Sequence, residues 1–372
     1  MKLFFFVLLV LYAPFTVVVH AGIEQVTIAV ILERTGPDSS GNSATIDGIR
    51  FAIDELNQQG GLLGKQVKLL ELDNRSTALY SKKVAQKVVQ ANVIAVFGAN
   101  WSSNSLAMAP VFQSAKIPMI SPFSTNPAVT LVGDYIFRIC FIDSFQGIAM
   151  AKFAAQDLKA KTAAILINAN SRYSEGLADF FSRAFVDNGG KIVLEMDYLQ
   201  NAEDFYEQLE AVKKVEPDII FLPGHNADSA QIIKQARESG LLTLFLGGDG
   251  WGIAMYGHAG SALQGNYYSG HWHKDNVNTR SRQFVAEYEN KNGTIKESDQ
   301  ALAYDMVFLF ADAVRRADSL EPGKIRDALA ATRDYPGVTG NITFNENGDP
   351  IKPVVILQFD KGSSRYVKTM RP

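Results

Sequence analysis

Short apolar runs rich in valine and isoleucine alternate with amphipathic segments through the first two thirds of the chain. The first runs predict strands at Gln25–Leu32, Gln66–Leu72 and Val93–Phe97, with helices between them at Ala44–Gln59 and Leu79–Gln90. A helix at Leu106–Ala115 is predicted to follow the third strand. Strands that alternate with helices form right-handed strand–helix–strand units, which build a parallel sheet. The pattern therefore predicts an α/β fold.

The alternation starts a second time after Asp143. Further strands are predicted at Ala163–Ile167, Lys191–Met196, Asp218–Leu222 and Leu242–Leu246. One lobe of this kind takes about 120 residues, so we expect two similar lobes in tandem. The alternation then ends. Three helices are predicted at Ser281–Lys291, Asp299–Ala317 and Pro322–Ala331, and three strands within residues 341–369. No low-complexity linker is present, which argues against two domains on a flexible tether.

The N-terminus has the features of a secretory signal peptide. A basic Lys2 precedes an apolar stretch from Leu3 to Val19, and the small residue Ala21 follows. Cleavage after Ala21 would remove residues 1–21 and leave about 350 residues, which suits two domains. An uncleaved membrane anchor is the alternative. We expect a soluble protein exported to the periplasm.

Composition and motifs argue against several classes of function. The formal net charge of −3 gives no reason to expect nucleic acid or an anionic membrane as a partner. Cys140 is the only cysteine, which excludes an internal disulfide. No Gly-x-Gly-x-x-Gly follows the first strand, and no Walker sequence or Gly-x-Ser-x-Gly elbow occurs, so we expect no enzyme and no cofactor. His271 and His273 lack a third ligand at a fixed spacing, so we expect no metal.

Two apolar runs end in clusters of small hydroxyl residues. The first cluster contains Ser102, Ser103 and Ser105, and the second lies in Ile120–Pro127. Both are expected at the carboxyl edge of one sheet, where open α/β sheets bind ligands. Each hydroxyl can cap the following helix, and the same hydroxyls with free backbone N–H groups can bind an anion. Two such loops in series favour a small site for a carboxylate.

Seven motifs occur in a fixed order along the chain: Ile28–Pro37, Asn57–Gly64, Ile120–Pro122, Tyr173–Gly176, Gln235–Leu241, Gly247–Gly250 and Asn345–Asp349. Their order and spacing resemble those of periplasmic solute-binding proteins of the branched-chain amino acid class, the Leu/Ile/Val-binding family of ABC transporters. The resemblance runs from about Val26 to about Asp360. It implies the type I periplasmic binding protein fold, in which two doubly wound parallel-sheet lobes are joined by three crossovers and hold a ligand in their cleft.

The resemblance also implies how the chain is divided and what it does. Residues 24–141 and 273–349 would form the first lobe, and residues 142–272 and 350–372 the second. The lobes would close over the ligand by a hinge motion, because the ligand contacts both lobes in the closed state. The closed form would dock on an ABC transporter permease in the inner membrane. We therefore expect a monomeric, non-catalytic carrier of an amino acid or a related small zwitterion.

Residue by residue, the resemblance assigns both ends of the ligand. The carboxylate-holding serine of the family matches Ser102, and its second hydroxyl matches Thr125. The backbone carbonyl that accepts from the ligand ammonium falls at Phe123, and the acid of the second lobe falls at Asp249. A zwitterion needs donors at one end and an acid at the other, which this assignment supplies. Tyr173 matches a tyrosine that covers the cleft. Without the resemblance, the glycine-rich segment around Asp249 is more simply a turn.

The resemblance places Asp143 near the ligand on the hinge side, but the side-chain subsite departs from the family pattern. Asn100 and Trp101 replace a small apolar pair, and His225 stands where an aromatic residue is common. We expect a pocket more polar than that of a leucine binder, with Trp101 as a wall. Such a pocket suits an amino acid with a polar or aromatic side chain, or a related small amide. The alternative is that Arg34 and His225 point to solvent.

Two further interpretations share the fold class. A sensory module would bind the same ligand and report it to a receptor or regulator, and no kinase, methyl-accepting or DNA-binding segment separates the two roles. A eukaryotic receptor ectodomain is the second alternative, because the N-glycosylation pattern Asn-x-Ser/Thr occurs at Asn74, Asn100, Asn292 and Asn341.

Overall fold

The structure is a computed structural model, which describes residues 24–36, 39–275, 278–295 and 298–372. The expected signal peptide, residues 1–21, lies outside the described residues. The strands are β1 (Gln25–Leu32), β2 (Gln66–Asp73), β3 (Ala95–Gly98), β4 (Met119–Ser121), β5 (Ile136–Arg138), β6 (Thr162–Asn168), β7 (Lys191–Tyr198), β8 (Ile219–Phe221), β9 (Leu244–Gly247), β10 (Tyr267–Gly270), β11 (Tyr335–Gly337), β12 (Gly340–Ile342), β13 (Val354–Asp360) and β14 (Ser363–Met370). The α-helices are α1 (Ser43–Gln58), α2 (Ala78–Val88), α3 (Ser102–Ala115), α4 (Asp143–Lys152), α5 (Arg172–Asp187), α6 (Tyr206–Val215), α7 (Asn226–Glu238), α8 (Tyr256–Ala259), α9 (Thr279–Asn292), α10 (Asp299–Ala317) and α11 (Pro322–Ala330).

The first sheet has five parallel strands in the order β2-β1-β3-β4-β5. β3 is buried along its whole length, as expected of a parallel strand covered by helices on both faces. β1 coincides with the predicted strand Gln25–Leu32. β5 is absent from the sequence prediction, because its three residues lie inside the longer apolar run Tyr135–Ile142 and no periodicity separates a short strand from buried coil.

The second sheet has seven strands in the order β14-β13-β10-β9-β8-β6-β7. The strands from β6 to β10 pair in parallel, whereas β13 pairs antiparallel with both β10 and β14. This sheet therefore combines strands from the middle of the chain with the last two strands. β10 is also absent from the sequence prediction, because only short helical turns precede it and the strand–helix alternation is weak there.

The helices α9, α10 and α11 follow β10 in the chain and yet pack on the first sheet. α10 packs along α1, and its Phe310 ring lies 5.4 Å from the ring of Phe97 in β3. The chain therefore passes between the two lobes three times, after β5, after β10 and before β13. The residues at which one lobe ends and the other begins stay a prediction. No helix within the described residues is long and apolar enough to cross a membrane.

A buried polar cluster holds the crossovers together. Lys352, just before β13, donates hydrogen bonds to the carbonyl of Ile139 (3.3 Å) and to the hydroxyl of Thr339. That hydroxyl donates in turn to Asp305 of α10 (2.6 Å). Burial lowers the pKa of Lys352 to about 8 and raises the pKa of Asp305. The cluster ties the first and third crossovers to the core of the first lobe.

Candidate functional site

The carboxyl ends of parallel strands from both sheets face a cleft, in which about 590 Å³ is free of protein atoms. Its lining is Asn42, Asn100, Trp101, Ser102, Phe123, Tyr173, His225, Asn226, Asp249, Gly250, Trp251, Gly252 and Asp299. Seven of the nine predicted ligand-binding residues are in this lining. The other two, Thr125 and Asp143, are fully buried beside it.

The N-terminus of α3 supplies hydrogen-bond donors to the cleft. α3 begins at Ser102, and the carbonyl of Trp101 accepts from two N–H groups of the first turn (3.0 Å each). The N–H groups of Ser102 and Ser103 have no acceptor inside the helix, because the carbonyls four residues before them lie outside it. The hydroxyl oxygen of Ser102 accepts from the N–H of Asn126 (3.2 Å), so its own proton remains to be donated. This helix end is suited to an anion.

Glu33 holds the loop between β3 and α3 from the protein side. Its carboxylate accepts four hydrogen bonds of 2.7–3.3 Å, from the backbone of Asn100 and Trp101 and from the side chains of Asn74 and Asn104. Glu33 is fully buried, and burial raises its pKa while the hydrogen bonds oppose the rise. Its bonding capacity is used by the loop, so Glu33 positions Ser102 rather than contacting a ligand.

The loop after β4 carries Phe123 into the cleft and is anchored by Arg138. Arg138 is fully buried and donates to the carbonyls of Ser124 and Asn126, the latter at 2.9 Å. Its Nε atom lies 2.7 Å from a carboxylate oxygen of Asp349. One guanidinium therefore fixes the backbone on both sides of position 125, because its planar fork offers several donors in a rigid arrangement.

Thr125 and Asp143 lie together beneath the lining. The N–H of Asp143 donates to the carbonyl of Thr125 (2.9 Å). Burial, and then the nearby charge of Asp249, raise the pKa of Asp143 well above its ordinary value. Side-chain hydrogen bonds from Thr125 and Gln146 oppose this rise. Thr125 and Asp143 therefore form a buried polar pair beside the cleft.

Asp249 reaches the cleft from the loop after β9 and is held on two sides. Its carboxylate accepts from the side-chain amide of Gln146 (3.0 Å) and lies 2.9 Å from Nε2 of His271. The amide oxygen of Gln146 accepts in turn from the N–H of Asp249 (2.8 Å). Burial lowers the pKa of His271, so its ring is neutral and donates Nε2–H to the carboxylate. A carboxylate accepts about four hydrogen bonds, so Asp249 can accept more from a ligand.

Glycines on both sides of Asp249 permit a close approach to Tyr173. A Cβ atom at Gly248 would lie 2.1 Å from the Tyr173 hydroxyl, and one at Gly250 would lie 2.5 Å from the carbonyl of Gly224. The Tyr173 hydroxyl accepts from the N–H of Gly250 at 3.0 Å. Since any side chain would clash at either position, the glycines here shape the cleft as well as the turn.

Three rings stack across the cleft. The centroids of Trp101 and His225 are 4.5 Å apart with planes 13° apart, and His225 lies 5.3 Å from the Tyr173 ring. Burial lowers the pKa of His225 to about 4, so the ring is neutral at pH 7. Arg34, in contrast, is 39% exposed and pairs with Glu71 at 2.8 Å. Of the two residues whose direction the sequence leaves open, His225 faces the cleft and Arg34 lies at the surface.

Asp299 is a lining residue that sequence reasoning does not assign to the site. It begins α10, and the Thr45 hydroxyl donates to its carboxylate (3.3 Å). Thr45 accepts from the Asn100 amide (3.0 Å), whose second N–H goes to Asn42 (2.7 Å). Burial raises the pKa of Asp299 to about 7. An acid at the start of a helix resembles an ordinary first-turn residue, so the sequence carries no signal of this role.

Gln146 and His271 are also absent from the predicted site. Gln146 lies three residues after Asp143 on α4, a spacing that places both on one helix face and could have indicated it. His271 supports Asp249, and His273 lies 3.3 Å from the carbonyl of Ser364. In the part of the chain that the structure describes, no group of three His, Cys, Asp or Glu side chains could hold a metal ion.

The chain is similar to proteins of known family and structure. The model of the family described as "Periplasmic binding protein" matches residues 25–364. The leucine-, isoleucine-, valine-, threonine-, and alanine-binding protein of Pseudomonas aeruginosa is 28% identical over 337 residues, which cover 88% of this chain and 87% of that protein. The crystal structure of the leucine-binding protein LivK from Thermotoga maritima superposes with a TM-score of 0.90 at 34% identity, covering 93% of this chain and 99% of that one. The substrate-binding protein LivJ of Streptococcus pneumoniae, in complex with isoleucine, superposes with a TM-score of 0.88 at 29% identity, covering 94% and 100%.

Proposed function

We propose, because the chain belongs to the periplasmic binding protein family, that it is the solute-binding component of an ABC importer. It works as a monomer in the periplasm, after removal of residues 1–21, and delivers its solute to a permease in the inner membrane. By their names, the relatives described above bind leucine or a set of leucine, isoleucine, valine, threonine and alanine, and one structure contains isoleucine. The observation that carries the proposal is a cleft with donors on one lobe and a carboxylate on the other. Such a cleft suits an amino acid or a related small zwitterion.

The ligand carboxylate binds at the N-terminus of α3. The Ser102 hydroxyl and the first-turn N–H groups donate to it, and the buried Thr125 hydroxyl lies beside them. The partial positive charge of a helix N-terminus favours an anion at this place. Each hydrogen bond to a charged group contributes about 1.5–3 kcal/mol.

The ligand ammonium binds between the backbone carbonyl of Phe123 and the carboxylate of Asp249, two residues that line the cleft. Burial and the nearby charge of Asp249 raise the pKa of Asp143, so the ammonium is assigned to Asp249 rather than to Asp143. The stacked rings of Trp101, His225 and Tyr173 keep water out of the site, and charge pairs are stronger where water is excluded. The same rings supply the wall of the side-chain subsite.

A thermal-shift screen against the twenty amino acids tests the proposal first, and calorimetry then measures the affinity for the best ligand. Ser102→Ala should weaken that affinity by about 1–2 kcal/mol, because one donor to a charged group is lost while the helix N–H groups remain. Asp249→Ala should weaken it further, since it leaves the ligand cation buried without its partner. If only Leu, Ile and Val raise the melting temperature, the expected polar side-chain pocket is refuted, whereas the proposed solute-binding function stands.

Ser182→Ala is the matched control for Ser102→Ala. Ser182 lies outside the cleft lining and donates to Glu195 on the second lobe (3.0 Å), so the variant should bind as the wild type does. The proposal fails if no amino acid binds the wild-type protein. The assignment of the two ends fails if both Ser102→Ala and Asp249→Ala bind with wild-type affinity.

A further inference from the structure

A second cavity opens beside the cleft, and about 770 Å³ of it is free of protein atoms. The two cavities share Asp249, Trp251 and Asp299 in their linings. Trp272 and His273, which lie on the second crossover, also line the second cavity. A ligand held at its amino acid end by Ser102 and Asp249 therefore has room for a long side chain, and that side chain passes Asp299.

The cleft lining on the side of Asp299 presents hydrogen-bond acceptors. Both N–H groups of the Asn100 amide are occupied by Asn42 and Thr45, which fixes the orientation of the amide. Its oxygen is buried and, within the described residues, has no partner. The Asp299 carboxylate accepts from the Thr45 hydroxyl and from its own N–H, which leaves further acceptor capacity. A ligand side-chain group that donates several hydrogen bonds would match these two acceptors.

The charges of the cleft lining also favour a ligand side chain that donates hydrogen bonds. No lysine or arginine is in the cleft lining that the structure describes, whereas Asp249 and Asp299 are both in it. The ligand ammonium balances Asp249 and leaves Asp299 without a cation. Enclosing a carboxylate without a cation is costly, which is why burial raises the pKa of Asp299 to about 7, and a cationic ligand group would stabilise the charged form. Lys274, in the second cavity, is 42% exposed and pairs with Glu289 at 4.0 Å, so it disfavours a second cation deeper in that cavity.

We propose that Asp299 and the Asn100 oxygen form a subsite for a cationic side-chain end, and that the solute is a basic amino acid of the arginine or lysine class. This inference rests on the proposed function. The planar fork of a guanidinium can donate to a carboxylate and to a neighbouring amide oxygen at once. The apolar stem of the side chain lies along Trp251, which lines both cavities.

Calorimetric titration with L-arginine, L-lysine and L-citrulline tests the subsite, because citrulline has nearly the shape of arginine without its charge. Wild-type protein should bind arginine or lysine at least about tenfold more tightly than citrulline. Asp299→Asn should weaken the binding of the cationic ligand at least about tenfold and that of citrulline less than about threefold. The ratio of the two affinities separates lost charge pairing from a general disturbance of the site.

Asp312→Asn is the matched control, because Asp312 lies on the same helix outside both cavities and pairs with Arg316 at 2.8 Å. It should leave every affinity unchanged. If Asp299→Asn does not fold, Asp299→Ser keeps a small polar residue at the helix start and should lower the same ratio. Tight binding of citrulline or leucine with weak binding of both cations, or an unchanged ratio in the variant, overturns the inference and leaves the proposed function intact. Failure of every amino acid to bind overturns the proposed function as well.

Discussion

Burial decides the charge of His225. Its ring lies between Trp101 and Tyr173, and loss of hydration lowers its pKa to about 4, although the charge of Asp249 opposes the shift. A neutral ring stacks on its neighbours without burying a charge. The wall of the cleft therefore keeps the same charge over the pH range in which an exposed histidine would titrate.

We predict that His225→Phe makes the ligand-free protein less sensitive to acid. In the wild type the unfolded chain binds a proton at His225 near pH 6.5, whereas the folded state does so only near pH 4, so stability is lost as the pH falls between these values. Phenylalanine keeps the stack and removes a loss on the order of 1–2 kcal/mol at pH 5. Urea unfolding at pH 7 and pH 5 measures the difference. His258→Phe, at an exposed position, serves as the control, and equal acid sensitivity of His225→Phe and wild type would contradict the prediction.

At the residue scale, the sequence predicts the part of the site that follows strands in the alternating pattern. Ser102 and Asp249 come directly after β3 and β9, so their place at the sheet edge follows from the periodicity. His271 follows β10, a strand that the sequence does not predict, and Asp299 begins a helix that the second crossover brings to the site. Their roles depend on tertiary contacts that hydrophobic periodicity does not encode.

At the scale of elements, an ion pair positions the loop after β4. Arg138 ends β5 and holds the backbone of Ser124 and Asn126, while Asp349 of the late turn holds Arg138. Thr130 bridges both charged groups, since its hydroxyl donates to Asp349 (2.8 Å) and accepts from Arg138 (2.9 Å). The position of the predicted ligand contact at Phe123 thus depends on a turn more than 200 residues further along the chain.

Asp349→Asn should lower the free energy of unfolding by about 3–5 kcal/mol, because it leaves the buried charge of Arg138 without its partner. Ligand affinity should fall too, since the loop that carries Phe123 loses its anchor. Urea unfolding and calorimetry measure the two effects. Asp327→Asn removes an exposed ion pair with Arg326 and should change stability by no more than about 0.5 kcal/mol. A loss as small as that of the control would contradict this account of the loop.

Long helices and strands with a clear apolar periodicity are predicted better from the sequence than short or polar segments. The helix predicted at Asp299–Ala317 coincides with α10, whose apolar pattern extends over five turns. The helix predicted from Leu106 begins four residues earlier, at Ser102, because small polar residues in a first turn carry no periodic signal. That difference matters for function, since the early start places the helix N-terminus in the cleft lining.

At the scale of the whole molecule, the described conformation is a closed one. The side-chain amide of Asn126 in the first lobe donates to the carbonyl of Arg172 in the second (2.7 Å). The N–H of Arg172 donates to the Ser103 hydroxyl (3.1 Å), and the contact of Trp101 with His225 also crosses the cleft. These contacts add to the ligand's own contacts with both lobes and stabilise closure.

Ser103→Ala should speed ligand dissociation about two- to fivefold without removing any predicted ligand contact. The variant loses one exposed hydrogen bond between the lobes, which contributes about 0.5–1 kcal/mol to closure. Stopped-flow measurement of the dissociation rate detects the change, and Ser182→Ala again provides the control. An unchanged dissociation rate would show that this contact does not favour the closed state.

The crystal structure of the protein with its natural ligand tests the central claim most directly. The ligand would be retained through purification and identified by mass spectrometry. We predict electron density in the cleft, with a carboxylate at Ser102 and the N-terminus of α3 and an ammonium at Asp249 and the carbonyl of Phe123. Density for the ligand outside this cleft, or a ligand held with its two ends reversed, would contradict the account.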